Sequence, residues 1–131
     1  MAAGNSANVY VAVVDDDESL LRSLARLLRA AGMQPITYSS AEAFCADVNR
    51  PRFDCLVLDV QLPGMSGIDL RNQLASEGAS APILFVTAHD DRQARANAMS
   101  GPCAGYFRKT DAGSEILDAI RRAVAPAATD S

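Results

Sequence analysis

Five short apolar runs alternate with segments of helical periodicity along the chain. The first, residues 9–14, is continuous and rich in β-branched side chains, which is typical of a strand buried on both faces of a sheet. Residues 55–60 and 82–86 form two further strong runs, and residues 34–38 and 104–107 form weaker ones. The pattern therefore predicts five strands, each followed by a helical segment.

The first two helical segments carry recognisable start and stop signals. Leucines spaced three and four apart over residues 20–28 predict a helix that ends at Gly32. Ser39 and Glu42 have the spacing of a capping box, in which each side chain binds the other residue's backbone N–H. This spacing predicts a second helix that reaches about Asn49.

The remaining three helices differ in the strength of their signals. Ser66 and Asp69 have capping-box spacing and Gly78 follows at the other end, which predicts a well-bounded third helix. Residues 90–100 offer only a weak apolar stripe, so we expect a loosely held helix there. Residues 111–125 have a clear apolar face and predict the last helix.

Strict alternation of strand and helix implies a parallel sheet with right-handed crossovers and helices on both faces. We therefore expect an α/β fold, a doubly wound five-stranded parallel sheet with five helices, in one domain over residues 8–125. Residues 1–7 and 126–131 are small and polar, and we expect both ends to be disordered.

Composition and charge restrict the class of protein. The 131 residues are 49% hydrophobic and 21% charged, which is ordinary for a globular domain. A net charge of −4 argues against direct nucleic-acid binding, which needs a basic surface. Because no apolar run approaches the roughly 20 residues that span a bilayer, and no secretion signal opens the chain, we expect a cytoplasmic protein without a membrane contact. The three cysteines form no CxxC pair, which favours reduced thiols over a zinc site.

Polar residues with complementary chemistry follow four of the predicted strands. Residues 15–17 are all Asp, Asp59 ends the third strand, Thr87 ends the fourth, and Lys109, the sole lysine, follows the fifth. Ligands of open parallel sheets bind outside the carboxyl ends of the strands. Converging carboxylates repel one another unless a cation neutralises them, and Mg²⁺ suits such oxygen ligands. A lysine and a hydroxyl beside them would stabilise a phosphoryl group in transfer, with Asp59 as the nucleophile.

Four segments resemble one family. Residues 13–17 (VVDDD), 54–67 (DCLVLDVQLPGMSG), 86–88 (VTA) and 106–109 (YFRK) are similar to the response-regulator receiver domain, of the CheY-like superfamily. The similarity covers about residues 8–125, and within the family the motif of residues 59–67 is most similar to the FixJ-like branch. It implies the flavodoxin-like strand order 2-1-3-4-5. It also implies a two-component response regulator that accepts a phosphoryl group from a histidine kinase.

The resemblance assigns a role to each residue at the sheet edge. It implies that Asp59 is the phosphoacceptor and that Asp16 contacts Mg²⁺, or Mn²⁺ in its place, directly. Asp15 would contact the same ion partly through water, while Asp59 and the backbone carbonyl of Gln61 complete the protein ligands. Thr87 would bind the phosphoryl oxygens together with the lysine that follows the fifth strand, Lys109.

The resemblance also implies a switch and a set of partners. Thr87 and Tyr106 would be the switch pair, and Gln61 and His89 would tune the lifetime of the acyl phosphate. Catalysis would be limited to self-phosphorylation and slow autodephosphorylation, so the protein is not a conventional enzyme. The partners would be a sensor histidine kinase or phosphotransfer protein and a downstream protein or DNA-binding output domain. A phosphorylation-dependent homodimer through residues 90–125 is a further expectation.

Three departures from the family pattern all lie near its usual signalling face. Thr110 follows Lys109 where the family usually has Pro, so the lysine is held either by a costly cis peptide or by a trans loop that aims it differently. Pro102 and Cys103 replace the usual Gly-Ala, which requires a rebuilt turn. The weak stripe over residues 90–100 is the third departure.

Two other functions stay open at this point. One is a receiver-like interaction module that signals without phosphorylation, which the Lys109–Thr110 loop favours. The other is a phosphatase of the haloacid-dehalogenase type, in which Asp15 would be the nucleophile and Asp17 the acid–base residue. That family usually needs a longer chain and a later acidic pair, and it leaves Asp59 without a role.

Overall fold

The computed structural model describes residues 9–111 and 113–125, so the expectations of disorder for residues 1–7 and 126–131 lie outside the described residues. Five parallel strands form one sheet in the order β2-β1-β3-β4-β5, as expected. The elements in chain order are β1 (Tyr10–Val14), α1 (Glu18–Ala30), β2 (Gln34–Tyr38), α2 (Ala41–Ala46), β3 (Cys55–Asp59), α3 (Gly67–Ser76), β4 (Ile83–Thr87), α4 (Arg92–Met99), β5 (Gly105–Arg108) and α5 (Gly113–Val124).

The strands carry apolar side chains on both faces, and each face builds its own core. Alternate residues of β1 belong to different clusters: Val11 and Val13 pack with α1 and α5, whereas Ala12 and Val14 pack with α2, α3 and α4. A parallel sheet covered on both faces needs such continuous apolar strands. The doubly wound architecture predicted from the alternation is therefore confirmed.

The start of α2 differs from the prediction. Ser40, and not Ser39, caps the helix, and its hydroxyl accepts a hydrogen bond from the Ala43 N–H at 3.0 Å. Glu42 does not complete a capping box, because its carboxylate accepts a hydrogen bond from the Met65 N–H at 2.7 Å. The expected Ser39–Glu42 box is therefore wrong, and Glu42 instead fastens a loop that lies 23 positions further along the chain.

The end of α2 also differs from the prediction. The helix stops at Ala46, short of Asn49, because Asp47 leaves the helical conformation with ψ at 93°. The Asp47 carboxylate accepts hydrogen bonds from the Tyr38 hydroxyl at 2.6 Å and from the Asn49 N–H at 3.1 Å. These bonds favour the turn over another helical residue.

The other helix boundaries follow their signals closely. Ser66 and Asp69 form the predicted capping box of α3. Gly32 and Gly78 follow α1 and α3 with φ of 85° and 84°, a left-handed conformation that glycine adopts readily. The helix α4 buries only two alanines, Ala94 and Ala98, in agreement with its weak stripe. No helix in residues 9–111 and 113–125 is long and apolar enough to cross a membrane.

Candidate functional site

The register of β1 against β3 brings two carboxylates together. Val14 pairs with Leu58, so Asp15 and Asp59 are the next residues on neighbouring strands, at the carboxyl edge of the sheet. Both residues are buried at this edge, Asp15 being 0% and Asp59 3% exposed. Buried carboxylates require partners, because burial of an unpaired charge is costly.

Lys109 supplies the counter-charge to both carboxylates. Its Nζ lies 2.8 Å from Asp15 Oδ1 and 2.9 Å from Asp59 Oδ2, and its side chain is only 16% exposed. The Lys109–Thr110 peptide is trans, and the Lys109 N–H donates to the Thr87 carbonyl at 2.9 Å, which continues the β4–β5 ladder. The trans loop therefore aims the lysine at the two carboxylates, and the expectation that a trans loop would aim it differently is wrong.

The remaining carboxylate oxygens have unequal partners. Asp15 Oδ1 also accepts from the Asp17 N–H at 2.8 Å, and Asp59 Oδ1 accepts from the Gln61 N–H at 3.1 Å. Asp15 Oδ2 is buried and has no hydrogen-bond partner within the described ranges. A buried oxygen without a donor requires an explanation, and a bound cation would provide one.

An exposed carboxylate forms an acidic cluster with the two buried ones. Asp15, Asp16 and Asp59 each offer one oxygen, and these three oxygens lie within 4.8 Å of one another. Hard divalent cations bind oxygen ligands of this kind. The three residues therefore fit a metal site of the sort that the sequence predicts, with Asp16 on the solvent side.

Burial and charge act in opposite directions on the cluster. Burial raises the pKa of Asp15 to about 6, although the bonds from Lys109 and the Asp17 N–H lower it and the charge of Asp59 adds to the rise. Burial lowers the pKa of Lys109, but its bonds to the two carboxylates outweigh this effect and the net pKa is raised. The lysine is therefore cationic at neutral pH, and the site still favours more positive charge.

Glycines allow the β3–α3 loop to approach the cluster. A Cβ on Gly67 would collide with the backbone oxygen of Asp59, so α3 can begin this close to β3 only at a glycine. Gly64 has φ of 75°, and Glu42 holds the adjacent Met65 N–H. Gln61, whose N–H binds Asp59, is exposed on this loop.

Thr87 lies at the end of β4, but its hydroxyl faces the next turn and not the carboxylates. Its Oγ1 donates to the His89 carbonyl at 3.1 Å and accepts from the His89 N–H at 3.1 Å. The residue is fully buried, whereas His89 is exposed. The hydroxyl has to exchange these partners before it can bind a ligand at the acidic cluster.

Comparisons with known proteins identify the family. A family model described as the response regulator receiver domain matches residues 11–121. The chain belongs to this family. It is 38% identical over 112 residues to the response regulator protein TodT of Pseudomonas putida, a match that covers 86% of this chain and 49% of TodT. It is 36% identical to the transcriptional regulatory protein FixJ of Azorhizobium caulinodans, covering 85% of this chain and 53% of FixJ.

A solved structure agrees with this assignment. The crystal structure of FixJ-N is similar with a TM-score of 0.80 and 32% identity, and the match covers 89% of this chain and 94% of that one. The chain thus spans about half the length of the curated relatives it matches. The receiver domain assignment and its FixJ-like character are confirmed, and these relatives are transcriptional or response regulators by name.

The receiver assignment removes the phosphatase of the haloacid-dehalogenase type. That alternative needs Asp17 as an acid–base residue, but the Asp17 carboxylate caps α1 and accepts from the Ser19 and Leu20 N–H groups at 3.0 and 3.2 Å. The Asp17 side chain therefore serves the helix, and the phosphatase alternative is wrong.

In this receiver domain Tyr106 is held by two residues whose part in the site no sequence motif indicates, Asp90 and Arg95. The Tyr106 hydroxyl donates to Asp90 Oδ1 at 3.1 Å, and the Arg95 guanidinium lies 4.5 Å from the centroid of the ring. Arg95 also pairs with Asp90 Oδ2 at 2.9 Å. Burial and the bond to Asp90 raise the pKa of Tyr106 to about 12, so the hydroxyl keeps its proton. No local spacing rule connects these three residues.

The receiver's second unpredicted feature is a buried arginine. Arg71 on α3 is 1% exposed and reaches the carbonyls at the end of α4. Its position three residues before the inward-facing Leu74 is a signal in the sequence that a charged side chain would enter the core.

Proposed function

We propose that this receiver domain accepts a phosphoryl group on Asp59 from the phosphohistidine of a sensor histidine kinase or phosphotransfer protein. The observation that supports this proposal is the convergence of two buried carboxylates on Lys109, beside an exposed third carboxylate and a buried carboxylate oxygen without a donor. A purely structural ion pair would not require the third carboxylate or leave an oxygen unsatisfied.

In the proposed transfer, a carboxylate oxygen of Asp59 forms a bond to phosphorus while the P–N bond of the phosphohistidine breaks. The electron pair of that bond stays with the imidazole, which takes up a proton. Lys109 holds its ammonium beside the Asp59 carboxylate and neutralises the phosphoryl oxygens after transfer. Hydrolysis of the acyl phosphate by water then returns the carboxylate and releases inorganic phosphate. The domain thus catalyses only its own phosphorylation and slow autodephosphorylation.

The proposed cofactor is Mg²⁺, with Mn²⁺ as a substitute. Asp15, Asp16 and Asp59 would hold it, because each offers an oxygen to one cluster and Asp15 keeps a buried oxygen without a donor. The family resemblance adds the backbone carbonyl of Gln61, the residue whose N–H binds Asp59. When bound, the ion supplies positive charge that draws the carboxylates and the phosphoryl oxygens together. Lys109 provides the second positive charge, and the buried edge of the sheet excludes bulk water from the two carboxylates.

The proposed switch consists of Thr87 and Tyr106. Binding of the phosphoryl oxygens by Thr87 costs its two bonds to the His89 backbone, so phosphorylation would free the β4–α4 turn. The Tyr106 ring would then turn inward and leave Asp90. Gln61 and His89 are exposed and lie two residues after Asp59 and Thr87, and we propose that they tune how long the acyl phosphate survives.

Receiver domains interact with histidine kinases and output domains, and the partners of this one are proposed accordingly. By analogy with its relatives named as transcriptional regulators, we propose a downstream protein or a DNA-binding output domain, without direct nucleic-acid contact by the receiver itself. We also propose a phosphorylation-dependent homodimer through residues 90–125, and a cytoplasmic setting, where such kinases transfer their phosphoryl groups.

The test is the intact mass of the protein after incubation with acetyl phosphate and Mg²⁺. We expect a gain of one phosphoryl group in the wild type, no gain in Asp59→Asn, and no gain in the wild type when EDTA replaces Mg²⁺. Asp69→Asn is the matched control, because Asp69 is exposed in the α3 cap and lies outside the cluster. It should be labelled like the wild type.

The remaining alternative is a receiver-like interaction module that signals without phosphorylation. An unlabelled wild type, under conditions in which another receiver domain is labelled, would contradict phosphotransfer and favour this alternative. Equal labelling of wild type and Asp59→Asn would reject Asp59 as the acceptor.

A further inference from the structure

Arg71 is the largest side chain that is almost completely buried, and it has no carboxylate partner within the described ranges. It projects from α3 and donates from Nη1 to the Ala98 carbonyl at 2.6 Å and to the Pro102 carbonyl at 3.1 Å. Its Nη2 donates to the Asn97 carbonyl at 3.1 Å. A buried cation normally requires an anion, so these carbonyls must serve as its counter-charge.

The three carbonyls belong to the C-terminal end of α4 and the turn after it. The last carbonyls of a helix lack intrahelical donors and carry the negative end of the helix dipole, so a cation stabilises them. The planar guanidinium can bind several carbonyls at once, which a lysine ammonium cannot do with the same geometry. The guanidinium also lies 5.3 Å from the centroid of the Phe85 ring on β4.

The turn after α4 is built around this guanidinium. A Cβ on Gly101 would lie 2.8 Å from Arg71 Cζ, so any larger residue there would have to displace the guanidinium. Pro102 contributes one of the bound carbonyls. This is the turn in which Pro102 and Cys103 depart from the family pattern, and Arg71 supplies the contacts that hold its rebuilt form.

The two ends of α4 are held by contacts of different strength. The N-terminal end has the Asp91 cap and the Asp90–Arg95 pair, whose arginine side chain is 53% exposed. Exposed pairs of this kind contribute little to stability. Between the ends, α4 buries only Ala94 and Ala98, so its apolar contacts hold it weakly.

We propose that Arg71 is a positioning residue for α4: it fixes the C-terminal end of the helix to α3, so that the helix opens from its N-terminal end, beside Thr87 and Tyr106. The inference concerns the unmodified protein and goes beyond the proposed phosphotransfer. Its consequence for signalling, that activation moves one end of α4 and leaves the other in place, rests on the proposed function.

Amide hydrogen exchange by NMR on the unmodified protein tests the proposal. In the wild type we expect exchange at Ala98 and Met99 to be about tenfold or more slower than at Ala94 and Arg95, because bonds to a charged donor protect one end. In Arg71→Met this ratio should fall to about one, since the carbonyls at the C-terminal end lose their donor. The ratio is insensitive to a general loss of stability, which speeds exchange at both ends.

A second variant keeps the test decisive if Arg71→Met does not fold. Gly101→Ala retains the charge but displaces the guanidinium, so it should lower the same ratio. Arg92→Met is the matched control, because Arg92 is exposed on the same helix, and it should leave the ratio unchanged. Equal exchange at both ends of wild-type α4, or an equal acceleration of both ends in Arg71→Met and Gly101→Ala, would overturn the proposal.

Beryllofluoride with Mg²⁺ extends the test to the activated state. We expect its chemical-shift changes in α4 to stop before Asn97 in the wild type and to extend through Pro102 in Arg71→Met. Changes that reach the C-terminal end of wild-type α4 would overturn the fixed-end inference for the activated state. Absence of any beryllofluoride effect would overturn the proposed function, while the exchange ratio in the free protein still decides the role of Arg71.

Discussion

The carboxyl ends of β1 and β3, with the Lys109 side chain that reaches them from just beyond β5, differ from the end of β4 and the Tyr106 side chain of β5 in how their groups are engaged. At the first pair, Asp15 and Asp59 already face each other and share the Lys109 ammonium. At the second pair, Thr87 bonds to the His89 backbone and Tyr106 bonds to Asp90, away from the acidic cluster. The charged groups are thus assembled in advance, whereas the switch residues have other partners.

The difference follows from the cost of separating each set of partners. Buried charges that lose a partner are strongly destabilising, so Asp15, Asp59 and Lys109 have little freedom to move apart. The bonds of Thr87 are neutral, and the Asp90–Arg95 pair beside Tyr106 is largely exposed, so each is exchanged at small cost. Regions that change conformation are drawn from the weakly held parts of a fold.

Lys109→Met should produce the largest change, because it removes the counter-charge from the well-held pair of strand ends. We expect the free energy of unfolding, measured with urea at neutral pH in EDTA, to fall by about 3 kcal/mol. Mg²⁺ should stabilise the variant more than the wild type, since its cluster is more negative. Arg108→Met, in an exposed neighbour, is the control and should change stability by less than about 0.5 kcal/mol. A loss no larger than that of the control would show that the lysine is not needed to hold the carboxylates.

Asp15→Asn should have the next largest effect, in the opposite direction. The pKa of Asp15 is raised to about 6 in the fold, so the folded protein binds this proton more tightly than the unfolded chain does. The carboxyl therefore contributes stability below its unfolded pKa of about 3.8, and this contribution is lost as the pH rises through about 6.

At neutral pH in EDTA, Asp15→Asn should then raise the free energy of unfolding by about 2 kcal/mol, because a neutral amide avoids the cost of the buried charge. Urea titrations over the acidic to neutral range should show this gain shrinking as the pH falls toward 4. A variant that is less stable than the wild type at neutral pH would mean that the lysine bond outweighs the burial of Asp15.

Sequence patterns were sufficient for the well-held strand ends. The apolar runs set the strands, and residues that directly follow neighbouring parallel strands must meet at one edge, so Asp15, Asp59 and Lys109 were identifiable without coordinates. The glycine at position 67 was visible only as part of a motif. Its physical reason, the approach of α3 to the Asp59 carbonyl, required the structure.

The contacts that the sequence did not reveal connect side chains across the fold. Whether Ser39 or Ser40 caps α2 depends on where the backbone leaves β2. The Glu42 carboxylate accepts its hydrogen bond from an N–H in another loop, which no local pattern indicates. Asp90 precedes the α4 cap, so no helical spacing rule relates it to Tyr106. No motif marks Arg71, because arginine on a helix is usually exposed, and only its place in the inward stripe indicates burial.

Arg95→Gln should have the smallest effect, because it removes an exposed contact from the weakly held strand ends. We expect a loss of about 0.5 kcal/mol in the free energy of unfolding at low salt, and a shift in the Tyr106 ring resonances as the ring loses the guanidinium above it. About 0.5 M NaCl should abolish the stability difference while leaving the effect of Lys109→Met largely intact, since salt screens exposed charges far more than buried ones. Arg92→Gln, on the same helix, should leave the ring resonances unchanged. If Arg95→Gln lowered the free energy of unfolding as much as Lys109→Met, or if its loss persisted in salt, the two regions would be held equally firmly. Tyr106 could then not leave Asp90 at a small cost in free energy.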